Sequence, residues 1–523
     1  MNQENLALNL PAFTALGVYF FAMLGIGYYA YRTSTSDMSE YMLGGRNLHP
    51  AVGALSAGAS DMSGWMLMGL PGAIYVAGLS EAWIAVGLVI GAYLNYKFVA
   101  PRLRVFTELA DDSITIPEYF GNRFKDKSQI LRMVSAVIIV IFFTLYTSSG
   151  VVAGGKLFES SFGLDYQLGL FLTAGVVIAY TLIGGFLAVS LTDFVQGCIM
   201  FIALITVPIV TIDVLGGWAA TAARVADVAP GVLPWLDGQS TGDGNLNMMS
   251  WLKGTTWLGL ISSLAWGLGY FGQPHIIVRF MAIRSLKDIK YARWIGMTWM
   301  VITVVGAVFV GVAGLAYGID TGAILSEVDS ETVFIVLSQI LFHPFVGGLL
   351  LAAILAAIMS TISSQLLVAS SSLAEDFYKT FLRKEASQKE LVMIGRASVL
   401  LVSIIAIVFA FDRSNSILDL VSNAWAGLGS AFGPIVLLSL WWKGMTRDGA
   451  LAGMVVGATT VLFWLYAPIQ IHGASLSSFL YEIIPGFFLS LLAVILVSKY
   501  GRKVEGPVED KFVEMEGAMT ERS

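Results

Sequence analysis

Run after run of about 20 apolar residues confines this chain to one kind of fold. A window of that length finds thirteen such runs, centred near Phe21, Leu67, Leu88, Ile141, Val177, Ile202, Gly267, Val304, Leu355, Ile404, Ser430, Val456 and Leu491. In hydrocarbon every backbone N–H and C=O must be paired inside the protein, so segments of this length cross as helices. Composition agrees. Of 523 residues 56% are hydrophobic and 13% charged, where a soluble domain carries about 25% charged. The chain is expected to be an all-α polytopic membrane protein with about 13 transmembrane helices. Its single cysteine, Cys198, and the scattered His49, His275, His343 and His472 provide no disulfide framework, thiolate metal site or paired-histidine motif. Residues 1–11 lack the basic start and cleavage site of a signal peptide, so the first run reads as a retained anchor.

Lysine and arginine set the orientation. With the N-terminus outside and thirteen spans, all but four of the 30 basic residues fall on the inner side, Arg46 and Arg279 among them. The exceptions are Lys156, Arg224, Lys253 and Arg413. This segregation makes the net charge of -6 uninformative about partners. It divides the chain into an N-terminal helix with a cytoplasmic link (1–45), spans two to six (46–217) and an external loop (218–253). Spans seven to eleven (254–442), two C-terminal helices (443–498) and a polar, disordered tail (499–523) follow. The glycine-rich stretch Gly238–Gly244 reads as a flexible insertion in the external loop. The run from His343 to Glu375 exceeds what a perpendicular helix needs and predicts a tilted one.

Two spans are interrupted. Span two contains Ser56-Ala-Gly-Ala-Ser-Asp-Met-Ser-Gly-Trp65, with Asp61 deep in an apolar run. A charge at that depth costs about 2.5–3.5 kcal/mol on insertion scales, so it must be paired, hydrated or bound to an ion. The surrounding glycines and serines weaken the helix and free carbonyls. Span seven contains Ala265-Trp-Gly-Leu-Gly-Tyr-Phe-Gly-Gln-Pro274, which cannot form a regular helix either. The two interruptions stand five spans apart. A pair of broken helices opening two inverted repeats is a transporter signature, and the breaks mark the binding site. An odd number of spans per repeat turns the second upside down. Span nine adds Ser360 and Thr361, whose hydroxyls can complete an oxygen cage for a hard cation beside the break in span two.

Gly150-Val-Val-Ala-Gly-Gly-Lys156 matches a phosphate-loop pattern but is followed by Leu157 where a magnesium-binding hydroxyl is required. No segment outside the spans is long enough for an ATPase or signalling domain. An enzyme is therefore not expected, and a channel is disfavoured because the polar residues cluster at mid-membrane rather than lining a continuous path.

The motifs Leu43–Arg46, Ala57–Trp65, Ile183–Phe186, Trp266–Pro274 and Met359–Thr361 together resemble the sodium/solute symporter family, in particular its bacterial sodium/proline branch. The resemblance runs from about residue 10 to about 495. It implies a leucine-transporter-type 5+5 inverted-repeat core, with one helix before it and two after. It further implies a bacterial plasma (inner) membrane protein with its C-terminus in the cytoplasm, coupling Na+ to uptake of L-proline by alternating access. A sodium symporter for another amino acid or a monocarboxylate is the alternative. By the same resemblance sodium is held by carbonyls of Ala59, Met62 and Ala357 and hydroxyls of Ser360 and Thr361. Asp61 matches an ion-coupling aspartate that either touches the ion or organises the break. Asp193 lies either on an inward ion route or at a surface helix cap, and Arg46 is either a family arginine or a membrane-side anchor. Ser63 and Gly64 would face the shared cavity. Trp266, Tyr270 and Pro274, with Trp65 and Tyr146, would wall the substrate, aromatic faces suiting a pyrrolidine ring. The expected partners are sodium, L-proline and the lipid bilayer, with no nucleic acid and no obligate protein partner.

Overall fold

The computed structural model describes residues 3–33, 43–229, 232–233, 235, 246–252, 255–471, 473–504 and 506–522. The chain is a bundle of helices with one two-residue hairpin, Gln470–Ile471 against Ala474–Ser475. In order come α1 (Gln3–Thr33), α2 (Pro50–Asp61), α3 (Leu70–Ala77), α4 (Ala82–Leu94), α5 (Ala100–Leu109), α6 (Ile116–Arg123) and α7 (Ile130–Phe162). Next are α8 (Tyr166–Val214), α9 (Trp218–Ala226), α10 (Trp257–Ala265), α11 (Pro274–Ala282), α12 (Leu286–Thr321), α13 (Val333–Ile340) and α14 (Pro344–Ser371). The last are α15 (Gln388–Phe409), α16 (Ile417–Trp441), α17 (Arg447–Tyr466), α18 (Leu476–Phe479), α19 (Ile483–Tyr500) and α20 (Gly506–Arg522).

Helix starts follow local chemistry. Thr115, Ser285, Ser387 and Ser416 each accept the backbone N–H three residues on, and each is followed at that position by Glu118, Asp288, Glu390 or Asp419. That is the hydroxyl-and-acid signature of a helix N-terminus. The 49-residue α8 would be more than twice a bilayer thick if straight. Gly185, at φ 61°, breaks it in two, a backbone that glycine adopts without cost.

Ten helices among the described residues are long and apolar enough to cross a membrane, against an expectation of about thirteen. The difference lies in three places: Trp65–Leu109 runs as one 45-residue stretch holding the centres of spans two and three, α10–α11 is interrupted, and Tyr166–Ala179 is short. Interruption is what shortens α10 and α11. The expected breaks in spans two and seven are both present.

The links gather at two ends. At one, here the basic end, Leu48 pairs with Ile283, Arg104 donates to the Ile283 carbonyl and Arg102 to that of Leu440. At the far end Lys156 bonds Glu331 at 2.7 Å, and the second Glu331 oxygen accepts the N–H groups of Ile417 and Leu418, capping α16. Gly238–Gly244 lies outside the described residues.

Two expectations are corrected. The tail is not disordered over 506–522. It forms α20, which buries Val508, Phe512 and Met515. Arg123, itself wholly buried, donates to the Val508 carbonyl, and Phe512 meets Phe106 edge-on. Ion pairs Lys511–Asp111, Lys443–Glu509 and Arg522–Glu108 fasten the rest. Polarity hid an apolar stripe one residue wide. Arg279 is likewise no surface link residue. It is fully buried within α11.

Candidate functional site

α2 stops at Asp61, and Met62 (φ −81°, ψ 76°) leaves the helix before the chain resumes through residues 65–77. Carbonyls in the last turn of α2 therefore lose their usual donors. The Ala59 carbonyl accepts from Ser360 Oγ at 2.7 Å and Thr361 Oγ1 at 3.3 Å, both on α14. Ser360 Oγ also reaches the Ala357 carbonyl at 3.1 Å. Four of the five residues named for sodium thus share one buried cluster, and Met62 adjoins it, 1% exposed. Every donor atom there is a neutral oxygen, the set that suits a hard monovalent cation. Among the described residues no three His, Cys, Asp or Glu side chains gather as a transition-metal site.

Asp61 is the hinge between this cluster and the second break. It is 2% exposed. One carboxylate oxygen accepts a short bond from the Tyr270 hydroxyl, and the other has no partner among the described residues. Its backbone carbonyl accepts from Trp65 Nε1 at 3.0 Å and Tyr146 at 3.3 Å. Asp61 does not reach the Ser360 and Thr361 hydroxyls through any hydrogen bond. Its contacts organise the break and connect it to span seven.

The second break is a tight turn, Trp266–Gly272, followed by Gln273 in extended conformation and α11 from Pro274. Gly269 lies flat on the Trp425 indole, where a Cβ would overlap the ring. Trp425 Nε1 donates to the Trp266 carbonyl at 2.8 Å, its ring meets Tyr270 edge-on at 5.0 Å, and its carbonyl accepts from Gln273. Trp266 stacks on Tyr481 at 5.4 Å and leans on Trp65 at 6.5 Å. Trp65, Tyr146, Trp266 and Tyr270, all named from sequence, are therefore in one aromatic cluster around Asp61. Trp425 and Tyr481 complete it. Sequence reasoning missed both, since a tryptophan or tyrosine in a span carries no mark separating site from packing.

Other residues stand apart. Pro274 faces a separate cavity with Thr115, Phe186 and Val278. Gly64 is a helix contact: a Cβ there would be 2.8 Å from that of Ala153. Ser63 Oγ accepts the Trp65 N–H and steadies the turn. Asp193 is in mid-helix, so the surface-cap reading falls. Its carboxylate pairs with Arg279 at 3.3 Å and accepts from Ser56 Oγ at 2.8 Å, every partner fully buried. Arg279 also bonds Ser56, Ser364 and the His275 carbonyl. A signal for Arg279 was available in its apolar neighbours Val278, Phe280 and Met281. Arg46 is no free anchor. It pairs with Asp112 at 2.8 Å and donates to Thr107 and the carbonyls of Ser113 and Met281. Burial lowers the pKa of its guanidinium, and Asp112 opposes the shift.

Residues 41–457 match the model of the sodium:solute symporter family. The osmoregulated proline transporter OpuE of Bacillus subtilis is 57% identical over 491 residues, 94% of this chain and 95% of that protein. The high-affinity proline transporter PutP of the same organism is 57% identical over 499 residues, 95% of this chain and 100% of its own. A sodium/proline symporter of Staphylococcus aureus is 54% identical over 504 residues, 96% of this chain and 95% of that one. Among solved structures, a Na+-coupled sialic acid symporter in a substrate-bound outward-open state superposes with TM-score 0.72 at 19% identity, covering 95% of this chain and 99% of that one. The nucleobase-cation-symport-1 transporter Mhp1 follows at 0.51 and 13%, covering 92% and 99%. At such identities these two speak to the fold alone.

Proposed function

This chain belongs to the sodium:solute symporter family, and from that premise we propose that it carries L-proline into the cell together with sodium. It is a multi-pass membrane transporter and not an enzyme. Sodium is the coupling ion, held by the carbonyls of Ala59, Met62 and Ala357 and the hydroxyls of Ser360 and Thr361. Proline is packed by Trp266 and Tyr270, with Trp65 and Tyr146 behind them. Its ammonium and carboxylate meet backbone groups freed at the two breaks. The observation that carries this reading is the bond from Tyr270 to Asp61. It joins the aromatic wall to the helix end whose next-but-one carbonyl receives the Ser360 and Thr361 hydroxyls. Filling either side changes the position of the other, which is what coupling requires. Asp193, with Arg279, lies on the inward route of the ion. The basic end faces the cytoplasm of a bacterial inner membrane, with the N-terminus outside.

One charge crossing 100 mV releases about 2.3 kcal/mol, and a tenfold sodium gradient adds about 1.4 kcal/mol. At one-to-one coupling these sustain roughly a few hundredfold accumulation. Labelled-proline uptake into proteoliposomes is the test. Uptake is expected to need an inward sodium gradient and to rise with an inside-negative potential. Uptake indifferent to sodium, or unlabelled proline failing to compete where another solute does, would refute the assignment.

A further inference from the structure

We propose that a pocket at the basic end, between the start of α17, the end of α19 and helix α20, binds the phosphate headgroup of an anionic phospholipid. Four cations from three separate segments line it, Lys125, Arg447, Arg502 and Lys503, against one carboxylate, Asp448, with Val508 as part of its wall. Arg447 is engaged by Asp126 at 2.8 Å and Asp448 at 3.1 Å. Arg502 is exposed and 4.0 Å from Asp448. Lys125 and Lys503 are exposed, and their side chains have no hydrogen bond or ion pair among the described residues. Cations therefore outnumber the carboxylates that answer them, and the pocket carries net positive charge.

A second basic pocket at the same end leaves one cation, Lys287, without an ion pair among the described residues, where this one leaves two. There Arg104 and Arg522 both pair with Glu108, and Arg284 pairs with Asp288. Those guanidinium groups are already satisfied. Lys125 and Lys503 are not.

Placement selects a lipid over a free anion. α17 begins at Arg447 and α19 ends at Tyr500, and both are membrane-crossing by length and composition. The pocket thus stands where two spans leave the hydrocarbon, at headgroup depth. Tyr500 is 83% exposed there, in the manner of an interfacial aromatic. One and two turns deeper, Leu496 and Leu492 of α19 and Val455 of α17 are exposed, an apolar surface along which acyl chains would run. A phosphodiester with two chains uses both the cations and that surface. A small anion uses the cations alone. Clusters of Lys and Arg beside a span end attract anionic lipids in this way, and charge-assisted bonds to phosphate oxygens fix the headgroup.

The test uses the full-length protein in phosphatidylcholine nanodiscs containing a graded fraction of phosphatidylglycerol, with lipid retention read by native mass spectrometry. Wild type is expected to retain phosphatidylglycerol over phosphatidylcholine. The triple variant Lys125→Gln/Arg502→Gln/Lys503→Gln should lose that preference by at least tenfold. A control triple, Lys287→Gln/Lys384→Gln/Lys389→Gln, removes the same charge from exposed sites elsewhere on the chain and should retain it. Sodium-dependent proline uptake in both triples verifies that each is folded. Equal retention by the first triple, or equal loss in the control, would overturn the proposal. Inorganic phosphate is the remaining arm. If millimolar phosphate displaces the lipid or stabilises the protein as much, the site takes small anions and the lipid assignment falls.

Discussion

Tyr270 has two separable duties, one through its hydroxyl and one through its ring. The hydroxyl bonds Asp61 and the ring meets Trp425. Tyr270→Phe keeps the ring, so it should raise the half-saturating sodium concentration with a small change for proline. Tyr270→Ala should raise the half-saturating proline concentration by the equivalent of about 1–3 kcal/mol, through lost packing. Asp61→Asn and Thr361→Ala should resemble Tyr270→Phe, and sodium titration of proline binding to purified protein checks all four. Unchanged sodium dependence in both Asp61→Asn and Thr361→Ala would mean the ion lies elsewhere. Glu482, just before α19 and next to Tyr481, offers a pH test. Burial raises its pKa from 4.5 to about 7, with Asp419 adding to the rise. The folded state then keeps a proton that the unfolded chain has lost, so this residue's contribution to stability declines as pH rises through that interval. Glu482→Gln is expected to gain stability relative to wild type between pH 5 and pH 8, measured by thermal unfolding. A gap constant with pH would contradict the assignment. At this scale the sequence was most legible where a polar atom stood inside an apolar run. Asp61, Ser360 and Thr361 stood out for that reason. Asn95 was passed over, although it is buried and donates to the Tyr270 carbonyl, because an amide near a span end has an ordinary solvated reading.

At the scale of elements, the two breaks were readable because Gly, Pro and Ser deny a helix its donors and its stiffness. What could not be read was the partner each break would lean on. Span seven is held flat against α4: a Cβ on Gly91 would strike the Gly267 backbone, and one on Gly267 would strike the Gly87 carbonyl. That proximity is tertiary, and no pattern within the span announces it. The same holds for α8 and α11, which share the buried pair Asp193–Arg279 although 86 residues separate the two charges. Removing one partner leaves an uncompensated buried charge, at a cost of about 3–5 kcal/mol. Asp193→Asn should accordingly lower the yield of folded protein and its melting temperature. The double variant Asp193→Asn/Arg279→Met should recover much of that loss, whether or not it transports. A double variant no better than the single would show that the pair is not the source of the defect. The helix-cap reading of Asp193 failed because the length of α8 was not foreseen. Its break falls at Gly185, and Asp193 stands well inside the second half.

For the whole molecule, membrane class, the two interruptions and the polar cluster of span nine were legible, since each follows from what hydrocarbon permits. The seating of α20 was not. Its stripe of Val508, Phe512 and Met515 is sparse, and the surface it meets comes from α5 and α6. Ending the chain after Val504 should lower the melting temperature while leaving the half-saturating sodium concentration unchanged, because the helix touches neither break. Scanning fluorimetry and sodium titration on the same preparation separate the two effects. If the truncation shifted sodium affinity and left stability alone, α20 would belong to the transport machinery instead. The order of synthesis gives this helix a further meaning. Arg123 and Phe106 leave the ribosome long before residue 508, so their seat is built early and stands open until α20 is made. A nascent chain with every span inserted but without α20 still shows an uncovered guanidinium beside bare aromatic rings, and α20 closes over them. A membrane protease or chaperone reading that surface would distinguish a chain with α20 seated from one without it.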